Sequence, residues 1–255
     1  KLPLLALTFD DGFDLYAPGV SEVLADLGIP ATTFVVTGCI GNGKLMWQHK
    51  LNAIYHQCGS ATFLAQFNEL LQLIGINQQI SSFSERLSKW PMKRKEEYAD
   101  ELWQRCKMPP IEEYLDEVRP YFTWEGLESW IQDGNSVGFH TYSHPFCSKL
   151  DDQEIVEEII DAADELARRL GLPTHALPFA YPFGDRLPVA KEKALMDRGY
   201  FSCLLGVQGL SLRGTPPHQL ERACVDYRGL DGAVFGEPVA VFGRPLVQAL
   251  RQYFA

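Results

Sequence analysis

The sequence predicts an α/β fold of parallel βα units around one large core. Three observations lead there. Short apolar runs alternate with amphipathic helical stretches along most of the chain, a strand–helix rhythm rather than that of a sandwich or a bundle. Its 255 residues suffice for one large core, and single α/β barrels often have this length. Two short polar motifs, Thr8-Phe9-Asp10-Asp11-Gly12 and His140-Thr141-Tyr142-Ser143-His144, fall at the C-terminal ends of predicted strands, where such folds collect their chemistry.

The elements follow in order. Leu4, Leu5, Ala6, Leu7 and Phe9 form an apolar run closed by Asp-Asp-Gly, which suits a central strand covered on both faces. Gly19 to Leu27 reads as a helix with Val20, Val23, Leu24 and Leu27 on one face, ended by Gly28-Ile29-Pro30. Ala31 to Val36, rich in Thr, Phe and Val, is a second strand.

The rhythm then breaks from about Cys39 to Pro120. Apolar helical faces (Leu51, Ile54 and Tyr55; Phe63, Phe67, Leu70, Leu71 and Ile74) and a charged run, Lys93 to Glu97, read as a helical insertion at about 40–120 within a single domain. Its position beside the barrel mouth suits a lid or a specificity-setting segment. Trp124 to Ile131 resumes as helix, and Ser136 to Phe139 as a strand running into His140. Asp151 to Leu170 is a long amphipathic helix, with Asp151 or Asp152 as N-cap and Gly171 as its stop. Leu177 onward is a strand ending at Pro182-Phe183-Gly184. Pro188 to Arg198 is a helix closed by Gly199, and Tyr200 to Leu205 and Leu220 to Val225 are later strands.

The polar motifs carry the chemistry. Two carboxylates ending an apolar strand need partners, because desolvated acids are costly. A metal ion is one such partner, and an Asx-type turn is the competing reading. His140 and His144 stand four apart, so on one helical turn or a tight loop they can aim at one point. One carboxylate with two imidazoles leaves coordination positions open for water and substrate, as a catalytic metal site requires.

These motifs, TFDDG followed by HTYSH, resemble the first two motifs of the polysaccharide deacetylases, carbohydrate esterase family 4. The resemblance implies a distorted, incomplete (β/α) barrel, here with the helical insertion, and removal of N- or O-acetyl groups from a carbohydrate with one divalent metal ion. It implies Asp11, His140 and His144 as metal ligands and Asp10 as the general base for the attacking water. Zinc is the first choice of metal, with other transition metals open. Leu177 to Gly184 resembles the family's third motif, and the match implies that the Phe183 N–H helps bind the oxyanion; Pro182 has no N–H to offer. Tyr181 is expected either to line the substrate groove or to pack in the core. Trp47 is expected either to stack on a sugar ring or to anchor the start of a helix.

Two departures stand out. The family's motif Arg aligns with Ala180, and its late Leu-x-His motif, source of the general acid, has no counterpart; His175 and His218 read as surface residues. Arg222, an Arg within an apolar strand, needs an acidic partner and is the candidate to replace the missing Arg beside Asp10, an exposed strand-edge Arg being the competing reading.

Composition agrees with a carbohydrate as partner. A net charge of −10 argues against nucleic acid and anionic membrane surfaces, and no run is long enough to span a bilayer. Cys39, Cys58, Cys106, Cys147, Cys203 and Cys224 form no close pairs and read as free thiols of a cytoplasmic protein, Cys147 as packing rather than metal-binding. No signal-peptide pattern opens the chain at Lys1, and an upstream segment is left open. The oligomeric state is not readable. Two other functions stay open: a deacylase of a small amino sugar, glycolipid precursor or other C–N substrate on the same site, and a catalytically degenerate sugar-binding module.

Overall fold

The computed structural model describes residues 6–223 apart from Pro18 and Arg213. Six strands form one parallel sheet in strict chain order: β1 (Leu7–Phe9), β2 (Ala31–Val35), β3 (Ser136–Phe139), β4 (Pro178–Ala180), β5 (Cys203–Gly206) and β6 (Leu220–Glu221). The sheet is curled. Arg222, directly after β6, reaches across to β1 and donates to the Thr8 hydroxyl at 3.0 Å. First and last strands therefore face each other through a side chain, and six strands make the incomplete (β/α) barrel that the sequence predicts.

Helices cover the outside: α1 (Val20–Asp26), α6 (Trp124–Gln132), α7 (Asp152–Ile155), α8 (Ala162–Leu170) and α9 (Val189–Asp197). Val35, Phe139, Phe179 and Leu204 from the sheet pack with Leu127, Trp130, Leu166 and Leu195 from these helices. Each such Leu or Phe stabilises the fold by roughly 1.5–3 kcal/mol relative to exposure. Asp151 caps α7 with a full capping box, its side chain accepting from Glu154 N–H while Glu154 reaches back to the Asp151 N–H. The helix predicted over residues 151–170 is continuous but not uniform: Val156–Asp161 is a π-helical turn between α7 and α8. Such a turn widens the backbone ladder and frees carbonyls for other partners.

Between β2 and α6 the chain is helical: α2 (Trp47–Leu73), interrupted at Gly59, then α3 (Arg86–Lys89), α4 (Lys95–Arg105) and α5 (Ile111–Val118). It has its own apolar cluster, in which Trp47, Leu51, Ile54, Phe63 and Phe67 of α2 meet Trp90, Leu102 and Trp103. Lys50 is buried within it and is held by Asp100 at 2.6 Å, a pairing that a buried ammonium requires. No described helix is long and apolar enough to cross a membrane.

One expectation fails here. β1 is an edge strand of the described sheet rather than a central one, and Leu7 is 37% exposed. Among the described residues β1 pairs only with β2, and on its other side the side chain of Arg222 reaches it. Val225 and Cys224, assigned to the last strand and to the free thiols, lie outside the described residues; the other five cysteines are unpaired.

Candidate active site

The strand ends deliver the polar residues to one place. Asp11 and Gly12 follow β1 with successive left-handed φ values of 69° and 72°. The turn needs glycine at position 12, since a Cβ there would meet Val35 backbone and side chain at 3.2–3.3 Å on top of the unfavourable φ. The tight turn aims Asp10 and Asp11 in different directions.

His140 follows β3 directly, and the loop to His144 folds back with Thr141 at φ 69° and His144 at φ 57°. Non-glycine residues hold such angles only when surrounding contacts fix them. Three sets do so. Thr37 and Gly38 N–H groups beyond β2 donate to the Thr141 and Tyr142 carbonyls at 3.0 and 2.9 Å. The His144 N–H donates to Thr141 Oγ1 at 3.0 Å. The π turn supplies the rest: the Glu158 carbonyl accepts from Tyr142 N–H at 2.9 Å, and its carboxylate accepts from the Ser143 N–H at 2.8 Å and from the Ser143 hydroxyl.

The outcome is a convergent donor set. Nε2 of His140 and of His144 face the same Asp11 oxygen, Oδ1, at 3.6 and 3.2 Å. Ligand atoms of the three residues lie within 4.8 Å of one another. His140 Nδ1 is 2.6 Å from the Ala180 carbonyl, an acceptor only, so Nδ1 carries the proton. In the neutral ring Nε2 then presents a lone pair to a carboxylate oxygen. Two acceptors facing each other need a proton or a metal ion between them, and two imidazoles with a carboxylate are a donor set that can hold a divalent metal ion. The backbone carbonyl on the outer nitrogen is the orienting contact that metal-binding histidines usually have.

Electrostatics agree. Burial would raise the Asp11 carboxyl, but His144, His140 and His49 outweigh it and hold it well below its ordinary range. Burial lowers His140, yet Asp10 and Asp11 more than reverse this, so it is raised above 6.5. Burial dominates at His144, which is lowered despite Asp11.

Asp10 takes no part in that set. Arg222 holds it bidentately, Nη1 to Oδ1 at 2.7 Å and Nη2 to Oδ2 at 2.8 Å, and the guanidinium also lies over the Phe34 ring. Phe183 is left-handed at φ 57°, and its ring sits edge-on to His144 at 4.6 Å.

The two expected sugar-stacking aromatics are elsewhere. Tyr181 is fully buried, packed on Phe179 with the Arg186 guanidinium over its ring, and presents no face to a substrate. Trp47 is also fully buried at the start of α2, and its indole N–H donates to the His144 carbonyl at 3.0 Å. Its helix-anchor reading is the one the packing favours, and the expectation of substrate contact is corrected for both. Cys147 is a buried member of the core. A cavity of about 820 Å³, walled by Lys44, Glu96, Asp100 and Tyr142, lies outside the ligand set; none of Asp10, Asp11, His140 or His144 lines it.

One imidazole was not anticipated. His49, in the first turn of α2, places Nε2 3.3 Å from Asp11 Oδ2, the oxygen turned away from the other two histidines. A single His among apolar helical residues carries no motif, and only the packing of α2 brings it here.

The sequence of residues 2–200 matches the family model described as polysaccharide deacetylase. No curated protein matches the sequence. Among solved structures, the chain is similar to the BpsB deacetylase domain from Bordetella bronchiseptica, with 15% identity over 89% of this chain and 74% of that one at a TM-score of 0.51. It also matches IcaB from Ammonifex degensii (18% identity, 99% and 75% covered, TM-score 0.49) and the Streptococcus pyogenes deacetylase PplD (16% identity, 88% and 66% covered, TM-score 0.48). At such identities the BpsB likeness speaks for the fold, while the family match spans most of the chain: this protein belongs to the polysaccharide deacetylase family.

Proposed function

We propose that this protein is a metal-dependent hydrolase that removes acetyl groups from a carbohydrate, an amino-sugar polymer or oligosaccharide being the first choice. The observation that carries the reading is the division of two adjacent carboxylates. Asp11 faces two imidazoles, and Asp10 is held apart by Arg222.

Asp11, His140 and His144 would hold the ion, which when bound supplies Lewis acidity toward the acyl carbonyl and toward water. The remaining work falls to the chain. Each Asp10 oxygen gives one lone pair to Arg222 and keeps another, so the carboxylate can accept a proton from the attacking water while Arg222 fixes its direction. Its neighbour in sequence, Asp11, stays committed to the imidazoles. The Phe183 N–H would donate to the developing oxyanion. Phe13 follows the Asp-Asp-Gly turn, stacks on His49 and is still 40% exposed, so it is an aromatic that a sugar ring could reach where Trp47 and Tyr181 are buried.

The deciding experiment measures acetate release together with metal content. Acetylated oligosaccharides should yield acetate with a stoichiometric divalent ion, and His140→Ala should lose both. Acetate from monosaccharide conjugates alone would favour the small-substrate reading. A wild-type protein that binds no divalent ion and releases no acetate would overturn the proposal and leave the binding-module reading.

A further inference from the structure

His49 is a partly buried imidazole, its side chain 12% exposed, that the proposed reaction does not use, and its surroundings define what it does. Its Nδ1 is 2.6 Å from the Tyr121 hydroxyl. That hydroxyl accepts from the Met46 N–H at 3.1 Å, which leaves its own proton for His49 Nδ1. Tyr121 is 2% exposed, and burial foremost pushes its hydroxyl far above the ordinary phenol range, so it stays a donor. With Nδ1 accepting, the proton of the neutral ring sits on Nε2 and points at Asp11 Oδ2, 3.3 Å away. The ring packs in a near-parallel aromatic trio, 4.8 Å from Phe13 and 5.6 Å from Tyr121, with interplanar angles of 22° and 16°.

We infer that His49 is a positioning residue: the chain Met46 N–H, Tyr121 hydroxyl, His49 and Asp11 Oδ2 holds the Asp11 carboxylate so that Oδ1 alone is turned to His140 and His144. His49 is not itself one of the three converging ligands. Both its nitrogens are spent, one on Tyr121 and one on Asp11. Every link before Asp11 comes from outside the family motifs, since Met46 and His49 lie at the start of α2 and Tyr121 lies just after α5. The helical segment between β2 and α6 thus helps build the metal site rather than only covering it. Orienting contacts of this kind are commonly worth about 10–100-fold in metal affinity.

The inference rests on the metal reading above, and the test separates the two. Zinc affinity is measured by competition with a chromophoric chelator for wild type, His49→Ala, His49→Gln, Tyr121→Phe and His140→Ala, with melting curves of the metal-free proteins as a folding control. His49→Ala should bind zinc about 10–100-fold more weakly. His49→Gln, whose amide nitrogen reaches as far as Nε2 and still donates, should stay within about 3-fold, since one retained hydrogen bond preserves most of the orientation. Tyr121→Phe, which keeps the stacked ring and removes only the hydroxyl, should fall between them and carries the test should His49→Ala fail to fold. Wild-type zinc affinity in His49→Ala or Tyr121→Phe, with His140→Ala unable to bind, overturns this inference alone. No zinc on the wild type overturns the metal reading and this inference with it.

Discussion

Arg222 meets Asp10 through both terminal guanidinium nitrogens, at 2.7 and 2.8 Å, although 212 positions separate them in sequence. A bidentate pair of this kind fixes direction as well as charge, which a lysine ammonium cannot do. Arg222→Ala should therefore lower kcat with little change in metal content. Hydrogen bonds to a charged group are worth about 1.5–3 kcal/mol, which corresponds to a loss of roughly 10–100-fold. Arg222→Lys should recover only part of it. Asp10→Asn should keep the metal and lose about 10²–10⁴-fold in turnover, the usual contribution of a general base. Steady-state kinetics paired with metal analysis checks all three, and wild-type turnover in Asp10→Asn would remove it from the base role.

Metal binding should be proton-coupled with a definite sign. In the metal-free protein His140 is raised above 6.5 by Asp10 and Asp11 against the lowering effect of burial, whereas His144 is lowered by burial and Asp11 is already ionised far below neutrality. A raised His140 stabilises the metal-free fold below pH 6.5 and loses that contribution as pH rises through its folded value. The ion competes for the same imidazole. Affinity should therefore increase with pH through and beyond 6.5, with His140 the source of the proton released near neutrality. Calorimetry in buffers of different ionisation heat measures that release. Asp10→Asn removes a charge that raises His140, so its affinity curve should shift to lower pH; an unshifted curve would contradict this account.

The parts of this arrangement readable in sequence are those where one short segment carries both the strand and its chemistry. TFDDG and HTYSH are of that kind, and the structure brings Asp11, His140 and His144 together. Arg222 could be flagged, and paired with Asp10, because an Arg in an apolar strand needs an acid and the motif Arg is missing; the curl of the sheet supplies the contact itself. His49, Tyr121 and Glu158 gave no signal, because each acts on a residue brought close by packing and none belongs to a recognisable spacing. Trp47 and Tyr181 show the reverse failure. An aromatic beside a motif looks alike in sequence whether it walls a groove or fills a core, and burial alone separates the two. The edge position of β1 was hidden for a related reason: an apolar run reports hydrophobic surroundings, not how many strands flank it.

Glu158 should prove important to the histidine loop although it touches no ligand. Its carboxylate accepts from both the N–H and the hydroxyl of Ser143, while its backbone carbonyl, part of the π turn, holds Tyr142. Lys95 of α4 lies 3.6 Å from the same carboxylate and links the loop to the helical segment. Glu158→Ala leaves the Ser143 N–H without this partner, a cost of about 1–3 kcal/mol. It should lower the melting temperature of the metal-free protein and also weaken the metal. Ser143→Ala, which removes only the hydroxyl bond, should do less of both. Equal effects from the two variants would mean that the backbone contact contributes nothing.

Gly138 should tolerate no side chain, and the reason ties sheet packing to chemistry. A Cβ at this position of β3 would lie 2.4 Å from Cε1 and 2.5 Å from Cδ1 of Phe34, and 3.1 Å from Pro178 Cγ. Phe34 is 1% exposed and cannot swing into solvent, so its ring must shift within the packed curl. Overpacking of this sort costs about 1–3 kcal/mol, which in a chain of this size lowers the melting temperature by roughly 2–4 °C per kcal/mol. The same ring carries the Arg222 guanidinium, 5.0 Å from its centroid. Displacing it moves the group that aims Asp10, so Gly138→Ala should lose activity at temperatures well below its melting point while keeping its metal. Phe34→Leu in the same chain makes room for the new methyl, and the two changes should couple favourably in stability because the residues touch. It also removes the surface on which Arg222 rests, so the double variant should regain stability without regaining turnover. Recovery of both together would show that Phe34 contributes volume alone and that Arg222 needs no aromatic support.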